Sequence, residues 1–233
     1  MKVFGTDYDG VMINIEPQKA AAFGVLVSRR WGIAQRAAED FWFHGNVSGR
    51  RNIFNGVYKE KFGKELADKE YESVEKEFSA LLKNEFYPLA VLLPGALDLI
   101  KFAKANFDHT FISSGVPMEE IKYLTKLNGV ADYFDLVLGT NKQFPTKYAH
   151  FAEIRKKWSP SKLLFVADGL TDMKISKENG AVPIGLPTNH SKQELLNAGA
   201  AVVIPLPEAI AAINRLLDPL ILFPVGGYGA EIC

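Results

Sequence analysis

After Pro88, short apolar runs alternate with stretches of helical periodicity, and this alternation limits the possible folds more than any other feature of the chain. The runs are Thr110 to Ser113, Phe134 to Leu138, Leu163 to Ala167 and Val182 to Leu186. Strands separated by helices predict a parallel sheet with helices on both faces, an α/β, Rossmann-like core. Lys2 to Thr6 has the same apolar texture and is assigned to that sheet. Between it and Pro88 almost no strand signal occurs. Helices are expected from Ala20 to Trp31, closing at Gly32, from Gln35 to His44, from near Ser48 to Gly63, and from Ala67 to Phe86. The expected organisation is therefore a core of residues 1–14 and 90–233, with a helical insert over residues 15–89.

A chain of 233 residues, 48% of them apolar, can bury a full core. Its 27 basic and 27 acidic residues leave no net field to draw in a polyanion, so no nucleic-acid partner is expected. The only cysteine is Cys233, which leaves no internal disulfide and no thiol pair for zinc. That usage fits a reducing compartment. No basic start followed by an apolar run precedes the first strand, so a signal peptide is not expected and a cytoplasmic location is. No stretch approaches the roughly 20 apolar residues that span a bilayer, so no membrane partner is expected. The short run Leu220 to Phe223, stopped by Pro224, reads as an edge strand or a subunit contact in a monomer or homodimer.

Parallel sheets of this kind bind ligands outside the carboxyl ends of their strands. Polar residues fall there repeatedly. Asp7 and Asp9, one residue apart in Val3-Phe4-Gly5-Thr6-Asp7-Tyr8-Asp9-Gly10-Val11, follow the first strand. Extended backbone would turn both acids to one side, where a cation, a shared proton or a phosphorylated substrate with its metal must compensate them. Ser113, Ser114 and Gly115 end an apolar strand just before a helix, an arrangement suited to an anion. Lys147 stands at the start of another helix, against the macrodipole, with Lys142 competing for the same role. Asp168 follows Leu163 to Ala167, and Asp172 lies one helical turn beyond it, so the two can face a common ion. Oxygen donors without a His or Cys cluster suit Mg2+.

These four patches, in this order, resemble the haloacid dehalogenase superfamily, in the branch that carries a helical cap after the first motif. Asp7-Tyr8-Asp9-Gly10-Val11, Ser113-Ser114 and Ala131-Asp132-Tyr133-Phe134-Asp135 are similar to stretches in phosphoglycolate phosphatase and beta-phosphoglucomutase relatives. Departures are Asn14 and Ile15 where the family often has an acid and a hydroxyl, Ala167 where glycine is usual, and a looser lysine motif.

The resemblance implies a magnesium-dependent phosphatase acting on a small phosphorylated metabolite. Asp7 would attack phosphorus and form an aspartyl-phosphate, and Asp9 would be acid and then base. Ser113 and Lys147 would stabilise the phosphoryl group, with Ser114 and Gly115 beside it. Asp7, Asp9 through its carbonyl and Asp168 would hold the metal, with Asp172 bound directly or through water. The presence of Asp9 favours phosphoryl transfer over dehalogenation, since a halide leaves without a proton. From the cap, Arg50 or Arg51 would contact the substrate. Phe41-Trp42-Phe43 reads as core, and His44 as a polar contact or a surface residue. His109, His150 and His190 have no ligand spacing. The same motifs also admit a phosphomutase, or a catalytically idle phosphate-binding module on this fold.

Overall fold

The computed structural model describes residues 1–45, 47 and 49–217. The Leu220 to Phe223 run, the Gly226-Gly227-Tyr228-Gly229 stretch and Cys233 lie outside the described residues. Six strands form one sheet: β1 (Lys2–Thr6), β2 (His109–Pro117), β3 (Leu136–Thr140), β4 (Lys162–Ala167), β5 (Val182–Gly185) and β6 (Val202–Val203). Their order is β3-β2-β1-β4-β5-β6, and every neighbouring pair is parallel. The order reverses at β1, which puts the ligand crevice of such a sheet beside the end of that strand.

Every predicted strand is present, and β6 is additional. Its two residues give too little periodicity to read. The third strand starts later than expected because Asp135 is spent on β2 before the ladder begins. Its carboxylate accepts from the Thr110 amide at 2.9 Å, and its own amide donates to the Thr110 carbonyl at 2.9 Å.

Between β1 and β2 lie α1 (Glu16–Trp31), α2 (Gln35–His44), α3 (Arg50–Phe62) and α4 (Asp68–Leu81), with short π and 3-10 turns carrying the chain to Leu89. The helix α1 opens with a proline in its first turn and closes on Gly32 in left-handed backbone, whose amide donates to Ser28. Around the sheet follow α5 (Ala96–Asn106), α6 (Met118–Leu127), α7 (Lys147–Trp158), α8 (Leu170–Glu178), α9 (Lys192–Asn197) and α10 (Ala209–Leu217). Among the described residues no helix is long and apolar enough to cross a membrane.

Alternation along the strands sends Phe4, Leu164 and Val166 into one apolar cluster and Val3, Leu163 and Phe165 into another. The first cluster continues into the helical insert, where Phe23, Phe54 and Phe78 are fully buried. Their rings meet edge to face, Phe54 lying 4.9 Å from Phe23 and 5.3 Å from Phe78. Truncating such a ring to alanine costs about 3–5 kcal/mol. The two chain crossings between insert and sheet are joined to each other. Ile13 and Leu92 form an antiparallel bridge, and the Leu93 amide donates to the Met12 carbonyl at 2.8 Å.

Candidate active site

The Asp7 amide donates to the Val166 carbonyl at 2.9 Å, so the ladder between β1 and β4 places this residue at the carboxyl edge. Its carboxylate accepts from its neighbour's amide, that of Tyr8, at 2.6 Å and from Lys147 Nζ at 2.6 Å. The first residue of α7, Lys147 also reaches Asp172 Oδ1 at 2.6 Å. Burial alone would lower the Lys147 pKa, but Asp172 and Asp7 together outweigh it and hold the ammonium above the ordinary lysine value. Burial pushes the Asp7 carboxyl up to about 6, against the opposing pull of Lys147. Lys142 is exposed, so Lys147 is the lysine of this edge.

Asp9 lies in the turn that follows. Its Oδ1 accepts from the Ile15 amide at 3.2 Å, and its Oδ2 accepts from Lys19 in α1. Lys19 is buried and also donates to Glu16 at 2.7 Å, while Trp42 Nε1 donates to the other Glu16 oxygen at 2.8 Å. Burial again pushes Asp9 up to about 6 despite its lysine. Glu16 goes the other way. Burial would raise it, and the Lys19 charge with the hydrogen bonds it accepts brings it to about 2.

Asp168, at the end of β4, accepts from Asn189 Nδ2 at 2.5 Å. It packs so closely on the loop after Asp9 that a Cβ on Gly10, whose φ is +75°, would lie 2.1 Å from its Oδ2. Burial first, and then the charge of Asp7, pushes the Asp168 carboxyl up to about 7.

The two serines separate at an irregularity in β2, where the register shifts between Ser113 and Pro117. Ser113 is fully buried with Oγ 2.8 Å from His150 Nδ1, and His150 Nε2 lies 3.1 Å from the Gly139 carbonyl. A carbonyl can only accept, so Nε2 carries the proton and Nδ1 receives the Ser113 hydroxyl. Burial keeps this ring neutral, pushing its pKa down to about 4. Ser114 and Gly115, not Ser113, face the cavity.

That cavity, of about 650 Å3, lies between the sheet edge and the helical insert. Asp7, Asp9, Lys147 and Asp168 open onto it from the sheet, and Glu16, Lys19, Trp42 and Arg50 from the insert. The arrangement brings residues of all four predicted patches to one cavity: Asp7 and Asp9, Ser114 and Gly115, Lys147, and Asp168. It also departs from the sequence expectation in several places. Asp172 is committed to Lys147 and serves as that lysine's second carboxylate. Arg50 donates to both oxygens of Glu120 on α6, at 2.9 and 3.0 Å, and to Glu75 at 2.6 Å, so it ties insert to core and is no free arm for substrate. Arg51 points away, exposed and paired with Asp68. Phe41 and Trp42 join the apolar cluster as expected, but Phe43 is 52% exposed at the cavity. His44 is exposed and bonded within its own helix.

Lys19, Glu16, Asn189 and His190 also line the site and were not foreseen. Lys19 carried a legible signal, since a lysine in the first turn of a helix opposes the macrodipole just as Lys147 does. Asn189 and His190 lie in the loop after β5, where nothing in the pattern marks them.

Among the described residues no three His, Cys, Asp or Glu side chains enclose a common metal position. Asp7 and Asp168 nonetheless form an all-oxygen pair in which the Asp7 charge raises Asp168, and among the described residues no hydrogen bond ends on the Asp9 carbonyl. Two carboxylates, a carbonyl and waters make a donor set that fits a hard divalent cation.

Comparison with known proteins agrees with this geometry. A predicted phosphoglycolate phosphatase from Haemophilus somnus is 16% identical, with a TM-score of 0.75 over 91% of this chain and 98% of its own. A family IA, variant 3 HAD hydrolase from Entamoeba histolytica is 18% identical, with a TM-score of 0.73 over 91% of this chain and 100% of its own. A HAD family hydrolase from Deinococcus radiodurans, solved with bound phosphate and sodium, is 17% identical, with a TM-score of 0.64 over 92% of this chain and 95% of its own. Among curated proteins the sequence has no match. The family model described as haloacid dehalogenase-like hydrolase matches residues 1–180, and the chain belongs to that family.

Proposed function

We propose that this protein is a magnesium-dependent phosphatase that hydrolyses a small phosphomonoester through attack by Asp7. The observation that carries this reading is the convergence of Asp7, Asp9, Lys147 and Asp168 on one cavity at the carboxyl edge of the sheet. Lys147, within 2.6 Å of Asp7, keeps its carboxylate ionised and adds positive charge where a phosphoryl oxygen would sit. Asp9, two residues on and with a carboxyl near 6, can hold a proton for the leaving oxygen and take one from water afterwards. Ser114 and the backbone at Gly115 supply the polar lining on the β2 side.

Asp7 and Asp168, with the Asp9 carbonyl, would hold Mg2+, which when bound supplies charge neutralisation and orientation to the phosphoryl group. Charge supports the need for it. Among the described residues, the ion pairs of Asp7, Asp9, Glu16 and Asp172 are with Lys19 and Lys147, and Asp168 has none. Residues 15–89 act as the cap, closing the site against water and leaving room for a metabolite rather than a folded phosphoprotein. The bound phosphate of the Deinococcus neighbour belongs to the same kind of chemistry.

The test is release of phosphate from p-nitrophenyl phosphate with and without Mg2+. Hydrolysis should require the ion and fall at least about 1000-fold in Asp7→Asn, the loss expected of a missing nucleophile. Turnover that survives a chelator, or an Asp7→Asn enzyme of normal rate, overturns the reading.

A further inference from the structure

The helical wall of the cavity carries two cations, and both are already matched. Lys19 is held by Asp9 and Glu16, and Arg50 by Glu75 and Glu120. Each therefore faces two formal negative charges with one positive, and no cation on this wall, among the described residues, is left over for a second anionic group. The other basic side chains of the cavity belong to the sheet side: Lys147, paired with Asp7 and Asp172, and His190, which comes with Asn189 from the loop after β5. Among the described residues, the other side chains on the helical wall are apolar. Phe43 is 52% and Val47 41% exposed, with Ile53 behind them and Trp42 turned to Glu16. Large apolar side chains left in water beside a polar site mark a place for an apolar ligand group.

The geometry points to a phosphomonoester whose alcohol part is uncharged and apolar or aromatic, seated against Phe43 and Val47, and not to a substrate with a second anionic group such as phosphoglycolate or a sugar bisphosphate. This substrate class rests on the phosphatase reading of the same site. A carboxylate or second phosphate placed on the helical wall would meet Glu16 and two cations already paired, Lys19 with Asp9 and Glu16 and Arg50 with Glu75 and Glu120, and would lose hydration without gaining an unpaired partner. A neutral ring or branched alkyl group would cover Phe43 and Val47 from water. The same wall disfavours a mutase cycle, because a bisphosphate needs a cation there for its distal phosphate.

The test is a comparison of kcat/KM in the magnesium-loaded enzyme for benzyl phosphate, phosphoglycolate and glucose 1,6-bisphosphate. Benzyl phosphate should exceed both by at least tenfold, and the ratio of benzyl phosphate to phosphoglycolate should fall at least fivefold in Phe43→Ala. Equal or better use of either competitor with a second anionic group overturns the inference while leaving the phosphatase reading intact. If no ester is hydrolysed, the phosphatase reading fails, and calorimetric binding of benzylphosphonate against phosphonoacetate decides the pocket chemistry. Tighter benzylphosphonate supports it, and equal or weaker binding overturns it.

Discussion

Replacing Arg50 with methionine removes the charged link between the helical insert and the core while keeping an apolar stem over Phe78, whose ring lies 5.0 Å from the guanidinium. Both partners are buried, with side-chain exposures of 14% for Arg50 and 10% for Glu120. Breaking a buried ion pair by deleting one member costs about 3–5 kcal/mol, because the remaining charge has no counterpart. Glu120 keeps hydrogen bonds from Tyr87 at 2.5 Å and Ser79 at 2.6 Å, which places the loss near the lower end, about 3 kcal/mol. One apolar cluster runs through insert and sheet, so the chain should melt as a unit. At about 2.1 cal/mol/K per residue over 233 residues, the Tm should fall by about 6 °C. Calorimetry on Arg50→Met, Glu120→Gln and the double variant reads both the loss and the coupling. The two losses should fail to add by at least about 1 kcal/mol, since the second change removes an already orphaned partner. A Tm drop under about 2 °C, or strict additivity, refutes the assignment of Arg50 as a buried link.

Two further changes test the site from other directions. His150 is held near 4 when folded and titrates near 6.5 when unfolded, so on acidification the unfolded chain takes the proton first. Its contribution to stability is complete above pH 6.5, declines from 6.5 to 4 by about 3 kcal/mol, and falls no further below that. Denaturant melts of wild type and His150→Gln should show this decline in the difference between them, and parallel pH profiles would contradict it. Gly10→Ala places a methyl 2.1 Å from Asp168 Oδ2 and strains a backbone with φ of +75°, so Asp168 must move. Calorimetric titration should show Mg2+ affinity lower by at least about tenfold, the loss typical of a displaced ligand shell, with circular dichroism unchanged. Wild-type affinity in this variant would remove Asp168 from the metal site.

The sheet was legible because strands buried on both sides leave unbroken apolar runs, and α2 was found at both ends, Gln35 and His44, because its amphipathic face is interrupted by turns. Asp7, Asp9, Lys147 and Asp168 were legible because each stands at a junction where the pattern changes from strand to helix. What stayed hidden depends on pairing across the chain. Ser113 and Ser114 differ by one residue and so take opposite faces of β2, and only the pairing of the strand in the fold decides that the first meets His150 and the second the cavity. The commitment of Arg50 to Glu120 joins residues far apart in sequence, and no local spacing announces it. Phe41, Trp42 and Phe43 form one aromatic run, yet the helix faces them differently, two inward and one to the opening.

The antiparallel bridge between Ile13 and Leu92, with the Leu93 amide on the Met12 carbonyl, joins the outgoing and returning chain into a single axle. Ile13 and Met12 are fully buried, so this axle is anchored in the interior. Any movement of the insert relative to the sheet must therefore bend the chain at this pair of crossings. A swing that carried α3 away from α6 would pull Arg50 off Glu120, so that such a movement and the loss of the ion pair would be one event.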